Sequence, residues 1–288
     1  MAAGAAARDA DWGASFSAAF TTGPAALLDL RQCNTRQQVD WLLREQPAYL
    51  MSFATNLELL AQHCLVHGIA MPFLRAIRPF GESVSDELRA LLQAVWHVPV
   101  LDGYSAVEVG IIGLQCPENV HFHVQSEGLL LELLRDDGLE CGPGEVGRVV
   151  VTRLHKFAQP LLRYEIGDYA EYGGACSCGR TLPVLTRVLG KTMDRFVLPS
   201  GERRFQSSGL NRLANTDAIV QMQMVQTSRS RMELRLVLRR PLTEAEEQEL
   251  RASMIRSLGY PFEIAIVAVD DIPRAPSGKF HKFRSDVT

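Results

Sequence analysis

Three groups that could do chemistry lie between Pro160 and Asp194. In Arg163-Tyr164-Glu165-Ile166-Gly167-Asp168 a carboxylate follows a glycine at the end of an extended run. A carboxylate so placed can accept hydrogen bonds from two adjacent hydroxyls, such as those of a ribose. Cys176-Ser177-Cys178 sits on a turn, with Gly173-Gly174-Ala175 before it and Gly179 after. Joined by Cys116 and His123 it offers three soft thiolates and one imidazole, the donor set of a closed tetrahedral zinc site, with His121 as rival for the fourth position. A metal ligated by protein on all sides would tie a fold together and activate no water. The third group is Gly190-Lys191-Thr192-Met193-Asp194, and two further stretches complete the set: Tyr104-Ser105-Ala106-Val107-Glu108 upstream and Pro276-Ser277-Gly278-Lys279 near the C-terminus. Each has a plain alternative: a solvated turn aspartate, three free thiols, a turn tyrosine, a first-turn helix acid favoured by the dipole, a basic tail.

The elements that must position these residues follow from hydrophobic periodicity. Val39, Leu42 and Leu43 mark a helix over Thr35 to Glu45, which Pro47 ends. Tyr49 to Phe53 is a short apolar run before a second helix carrying Leu57, Leu59, Leu60, Cys64 and Leu65 and stopping at Gly68. Phe73 to Phe80 reads as a strand, Ser85 to Trp96 as a helix capped by Ser85, and Val98 to Leu101 as the next strand. Short strands alternating with helices argue for parallel βαβ units, which would place Tyr104 and Glu108 at the carboxyl end of a strand, where ligand sites of open α/β sheets lie.

From Val124 the character changes. Leu129 to Leu134 and Val146 to Thr152 are strand-like around the turn signals Asp136-Asp137-Gly138 and Cys141-Gly142-Pro143-Gly144-Glu145, which predicts an antiparallel subdomain. Beyond Asp194 come a hairpin from Phe196 to Glu202, an alternating strand from Met232 to Arg239, a helix from Thr243 to Leu258 with Thr243 as N-cap and Glu246 at the capping-box position, and a strand from Phe262 to Val269. That is a small α+β domain.

With 288 residues, 47% hydrophobic and 22% charged, the chain can bury two cores. A net charge of -3 gives no electrostatic reason to expect nucleic acid or an anionic membrane as partner, and no apolar run reaches the ~18 residues that span a bilayer. The N-terminus lacks a basic flank followed by an apolar core, so no signal peptide is expected. Six cysteines, two of them in Cys-x-Cys, suit a reducing compartment and metal ligation better than a disulfide scaffold, and a cytoplasmic protein is expected. Cys33, Cys64 and Cys141 fit no pattern.

In their order and separation these motifs resemble the adenylate-forming ligases, closest to the phenylacetate–CoA ligase branch and its relatives in capsular polysaccharide clusters. The resemblance covers roughly residues 40 to 285. It implies an enzyme that joins a carboxylic acid to AMP from ATP and then passes the acyl group to coenzyme A. It implies further that Tyr104 stacks on adenine with Ser105 beside it, that Glu108 holds the bridging Mg2+, that Gly81 and Glu82 line the adenine pocket, and that Asp168 binds both ribose hydroxyls. Lys191 would replace a basic residue, usually arginine, losing the planar fork but keeping the charge. Asp194 would be the hinge, and Lys279 the mobile catalytic lysine that stabilises the adenylation transition state. The family's cysteines and histidine fall at matching places, which supports zinc on Cys116, His123, Cys176 and Cys178.

The organisation implied is a flexible N-terminus over 1–12, the C-terminal part of a nucleotide-binding α/β domain over 13–190 with a zinc-bearing barrel-like subdomain from about 120 to 190, a hinge over 191–195, and a mobile α+β domain over 196–288. One family feature has no counterpart, the Ser/Thr/Gly-rich phosphate loop ending in Lys-Gly. Thr21-Thr22-Gly23-Pro24 is followed by Leu27-Leu28-Asp29-Leu30 and reads as an ordinary turn. Expected, therefore, is either a ligase whose chain begins in the middle of the large domain, or a non-catalytic nucleotide-binding or interaction remnant of one. The acid itself is not encoded in any spacing.

Overall fold

The computed structural model describes residues 6–13, 17–191, 195–205, 218–273 and 280–287. Its backbone divides into two units, Met1–Phe80 with Asp86–Asp102, and Gly81–Ser85 with Gly103–Thr288.

In the first unit helix α1 runs over Thr35–Glu45, opened by a capping box in which Asn34 accepts from the Gln37 backbone while the Gln37 side chain reaches back to Asn34. Val39 and Leu42 are buried as the periodicity predicts, Trp41 is buried with them, and Leu43 faces solvent. Strand β3 (Tyr49–Phe53), helix α2 (Ala54–His67) and strand β4 (Ala76–Phe80) form a parallel βαβ unit, Leu50 pairing with Ile77. Gly68 closes α2 in the left-handed region at φ 63, where only glycine is unstrained. Helix α3 (Asp86–Trp96) follows. The strand expected over Val98 to Leu101 reduces to one parallel bridge, Val100 with Ile77, because Pro99 has no N–H to extend the ladder. Ala6–Asp9 (β1), expected to be flexible, pairs antiparallel with Ala25–Leu28 (β2), and Arg8 grips Glu45 at 2.6 and 2.7 Å. Backbone pairing needs no large side chain, so composition concealed this strand.

The second unit holds a seven-stranded antiparallel sheet of β5 (Gly103–Ala106), β6 (Gly110–Gln115), β7 (Phe122–Val124), β8 (Leu129–Leu134), β9 (Val146–Arg153), β10 (Tyr164–Tyr172) and β11 (Val184–Lys191), in the order β5-β6-β7-β11-β10-β9-β8. Its core is Ile112, Val124, Leu129, Leu133, Val149, Val151, Ala170 and Leu185. One expectation is corrected here. The antiparallel region begins at Gly103 and not near 120, since β5 pairs with β6. Tyr104 lies within this antiparallel strand, a few residues after the parallel Val100–Ile77 bridge, and Glu108 lies in the β5–β6 turn. Among the described residues no pairing joins the edge strands β5 and β8 into a closed barrel.

After the hairpin β12 (Arg195–Val197) and β13 (Arg203–Phe205), the same unit contains a four-stranded sheet of β14 (Ile219–Gln226), β15 (Arg231–Leu238), β16 (Glu263–Ala268) and β17 (Phe283–Ser285), ordered β16-β15-β14-β17. Helix α4 (Glu244–Leu258) has the predicted Thr243–Glu246 capping box. Leu250, Met254 and Leu258 from α4 pack with Met224, Met232, Leu234, Leu236 and Phe196. No helix among the described residues is long and apolar enough to cross a membrane.

Candidate active site and metal cluster

Strand β10 carries the carboxylate on which the site is built. Its pairing with β9 is interrupted between Glu165 and Tyr169, and Gly167 takes φ 80 inside that irregularity. A bulge of this kind re-aims the side chain beside it. Asp168 follows, and its Oδ2 accepts the Tyr104 hydroxyl at 2.8 Å. Tyr104 reaches it from β5, whose own register shifts between Tyr104 and Ser105. On its other flank Asp168 stands directly opposite Lys191 in the β10–β11 register.

Tyr104 is 7% exposed and packs with Val109 and Ile112. Burial pushes its hydroxyl pKa upward, and the Asp168 charge and hydrogen bond push it further. The tyrosine is thus a neutral donor that holds the carboxylate, and little of its ring is left open for a second partner.

The remaining expected site residues fall as follows. Ser105 is exposed beside Tyr104. Glu108 is exposed, and its backbone carbonyl accepts the Lys156 ammonium at 2.6 Å, which pins the β5–β6 turn. Gly81 has φ 70, and Oε1 of Glu82 accepts the backbone N–H of Phe280 at 3.2 Å. Asp194 and Lys279 lie outside the described residues. Lys156 and Phe280 escaped the sequence reading, because each contact uses a backbone group on one side and joins residues far apart in the chain.

The Cys/His group converges. Ligand atoms of Cys116, His121, His123 and Cys176 all lie within 4.8 Å of one another. Sγ of Cys116 and Cys176 are 3.8 Å apart, Nε2 of His121 is 3.0 Å from Cys176 Sγ, and Nε2 of His123 is 3.3 Å from Cys178 Sγ. Zinc–sulfur bonds of about 2.3 Å at the tetrahedral angle put sulfurs about 3.8 Å apart, so the Cys116–Cys176 spacing has the dimensions of one edge of such a site. Five donors compete for four positions, with His121 and Cys178 the alternatives around a common Cys116, His123 and Cys176.

Supporting groups surround these donors. The Asn119 amide points at Cys116 and Cys176 from 3.7 and 3.6 Å. The backbone N–H of Arg180, and then its guanidinium, hold the Cys178 thiol down to about 7, favouring the thiolate that binds metal. His123 is buried, and its Nδ1 has no hydrogen-bond partner among the described residues. Asn119 sits in the loop between Cys116 and His121, a position that would have marked it as an outer partner of the cluster.

Comparison with known proteins gives three kinds of match. The model of the CapK C-terminal domain matches residues 205–286. Protein CapK of Staphylococcus aureus is 24% identical over 267 residues, 85% of this chain and 54% of that protein. Phenylacetate-coenzyme A ligase of Thermus thermophilus is 40% identical over 79 residues, 26% of this chain and 18% of that one. Among solved structures, 2-hydroxyisobutyryl-CoA ligase in the postadenylation state with 2-HIB-AMP superposes with a TM-score of 0.71 at 19% identity, covering 88% of this chain and 57% of that one. Anthranilate CoA ligase AuaEII with anthranoyl-AMP gives 0.63 at 17% identity, over 86% and 51%. The chain spans about half the length of the CapK protein and of these structures.

Proposed function

We propose, from its resemblance to the adenylate-forming CoA ligases, that this chain binds an adenosine nucleotide at Asp168 and takes part in AMP-forming acid–CoA ligation of the phenylacetate–CoA ligase type. The observation that carries the reading is the Asp168 carboxylate, re-aimed by a bulge, held by the buried Tyr104 hydroxyl and facing Lys191 in register. A carboxylate anchored through one oxygen keeps lone pairs for two ribose hydroxyls.

In this reading Asp168 binds the ribose, Lys191 adds positive charge beside it, and Tyr104 positions the carboxylate. Gly81 and Glu82 border the adenine, with Ser105 beside it, and Glu108 would hold Mg2+ as a hard oxygen donor. The substrate carboxylate attacks the α-phosphorus of ATP, an oxygen–phosphorus bond forms, and the bond to pyrophosphate breaks. Lys279 stabilises the charge that develops, and the acyl group then passes to the thiol of coenzyme A with release of AMP. Zinc on Cys116, His123, Cys176 and either Cys178 or His121 would brace the seven-stranded sheet without entering the reaction. The small C-terminal domain turns about Asp194 between the two half-reactions.

A second reading is that these 288 residues bind the nucleotide without catalysing ligation by themselves. Without contacts to the β- and γ-phosphates a nucleotide pocket binds AMP and ATP alike and turns over poorly. Calorimetry tests the site. AMP should bind, and Asp168→Ala should weaken it roughly tenfold or more, as the loss of charge-assisted hydrogen bonds implies; equal affinity for wild type and variant overturns the assignment. Pyrophosphate exchange separates the readings: exchange abolished by Lys279→Ala supports the ligase, and exchange at the blank level supports the binding remnant.

A further inference from the structure

Two contacts within the second unit tie its C-terminal part to the rest, one through Arg195, which has no part in the nucleotide site, and one through Glu82, which borders it. The guanidinium of Arg195 lies over the ring of Tyr169, 4.4 Å from its centroid, and the backbone N–H of Phe280 donates to Oε1 of Glu82 at 3.2 Å. We propose that Arg195 is a positioning residue, a latch on Tyr169 that holds the four-stranded C-terminal sheet in one orientation against the strand bearing Asp168. The proposal rests on the reading of Asp168 as the ribose ligand for its functional meaning, but its structural content stands apart from that reading.

The base of the latch is rigid. Tyr169 follows Asp168 on β10, is 7% exposed, and pairs with Gly190 on one side and Arg148 on the other. Arg195 belongs to the β12–β13 hairpin, which packs on the C-terminal sheet. The next residues of β12, Phe196 and Val197, are buried, and Phe196 packs with Met224, Met232 and Leu234. Val197 is fastened further by the buried Gln226, whose amide accepts its N–H at 2.9 Å and donates to its carbonyl at 2.7 Å. The backbone of Arg195 thus moves with the C-terminal sheet while its side chain rests on the other.

Chemistry favours this pair as a switchable contact. A guanidinium within about 6 Å of a ring centroid is attracted by the ring's quadrupole, gains strength when desolvated, and lies flat on an aromatic face where an ammonium does not. It is also directional, so a change in orientation between the two sheets would break it as a unit. Phe280, the neighbour of Lys279 in the chain, should lose its bond to Glu82 in the same movement.

Energy transfer between dyes on azido side chains placed at the exposed Asp136 and Arg229 reads the orientation and leaves all native thiols untouched. In nucleotide-free wild type one distance should dominate. Arg195→Ala and Tyr169→Leu should move the ratio of orientations roughly tenfold towards a second distance, Arg195→Lys should fall between, and Tyr169→Phe, which keeps the ring, should match wild type. Hydrogen exchange gives an independent readout: the Phe280 amide should lose protection in Arg195→Ala while the amides of β15 keep theirs. Should Tyr169→Leu fail to fold, the two Arg195 variants decide. An Arg195→Ala protein with the wild-type distance and Phe280 protection overturns the latch, as does a Tyr169→Phe protein that behaves like Arg195→Ala. AMP is absent throughout, so failure of the nucleotide reading shows in calorimetry and not here.

Discussion

The hydroxyl of Tyr104 donates to Oδ2 of Asp168 at 2.8 Å, across 64 positions of sequence. Two residues expected to touch a nucleotide separately are therefore one unit, and the tyrosine's buried position makes it a support for the carboxylate.

That unit has a pH signature. The Tyr104 pKa is raised by burial first and by Asp168 second, so the folded state keeps the proton above the ordinary tyrosine value of 10.0 while the unfolded state loses it. The stabilisation is fully present below pH 10 and is lost as pH rises beyond it, by about 1.4 kcal/mol per pH unit for one proton. Urea unfolding from pH 9 to 11 should show this loss in wild type and a flatter profile in Tyr104→Phe. Parallel profiles would mean that Tyr104 titrates normally.

Metal content is expected to be about one zinc per chain by elemental analysis. Cys116→Ser and Cys176→Ser should lose it, because both belong to either set of four donors. Of His121→Ala and Cys178→Ser, the one that loses metal identifies the fourth ligand. Full zinc content in Cys176→Ser would remove the assignment.

The hinge is tested at Asp194. Proline fixes φ near −65° and should lock one orientation of the C-terminal domain. Small-angle scattering of Asp194→Pro should then be the same with and without nucleotide while wild type changes. A wild type that does not change either would indicate a rigid junction.

Gln226→Leu should cost about 2–4 kcal/mol, since it leaves the N–H and carbonyl of Val197 buried without partners. Chemical denaturation measures it, and a loss below 1 kcal/mol would show that water replaces the amide.

Much of the local architecture was legible in the sequence. The helix over Thr35–Glu45, the parallel βαβ unit through Gly68, the Thr243–Glu246 capping box and the β8–β9 pair all follow from periodicity and from residues whose own chemistry ends or begins an element. The candidate ligands were legible too, because thiols, imidazoles and a carboxylate behind a glycine announce themselves by type. Strands such as Phe122–Val124 and Phe283–Ser285 were not, being only three residues long and too short for any period to show.

By itself, then, the sequence determined which groups are available and which segments are helical or extended, since both depend on side-chain type and on spacing over a few residues. Partnership was decided by tertiary structure alone. That Tyr104 meets Asp168, that Asp168 faces Lys191, that His121 joins the cysteines and that Arg195 rests on Tyr169 depend on strand order and register. The physical reason is that a sheet brings residues together through backbone hydrogen bonds common to every residue type, and a bulge or a one-residue shift redirects a side chain without leaving a mark in the spacing.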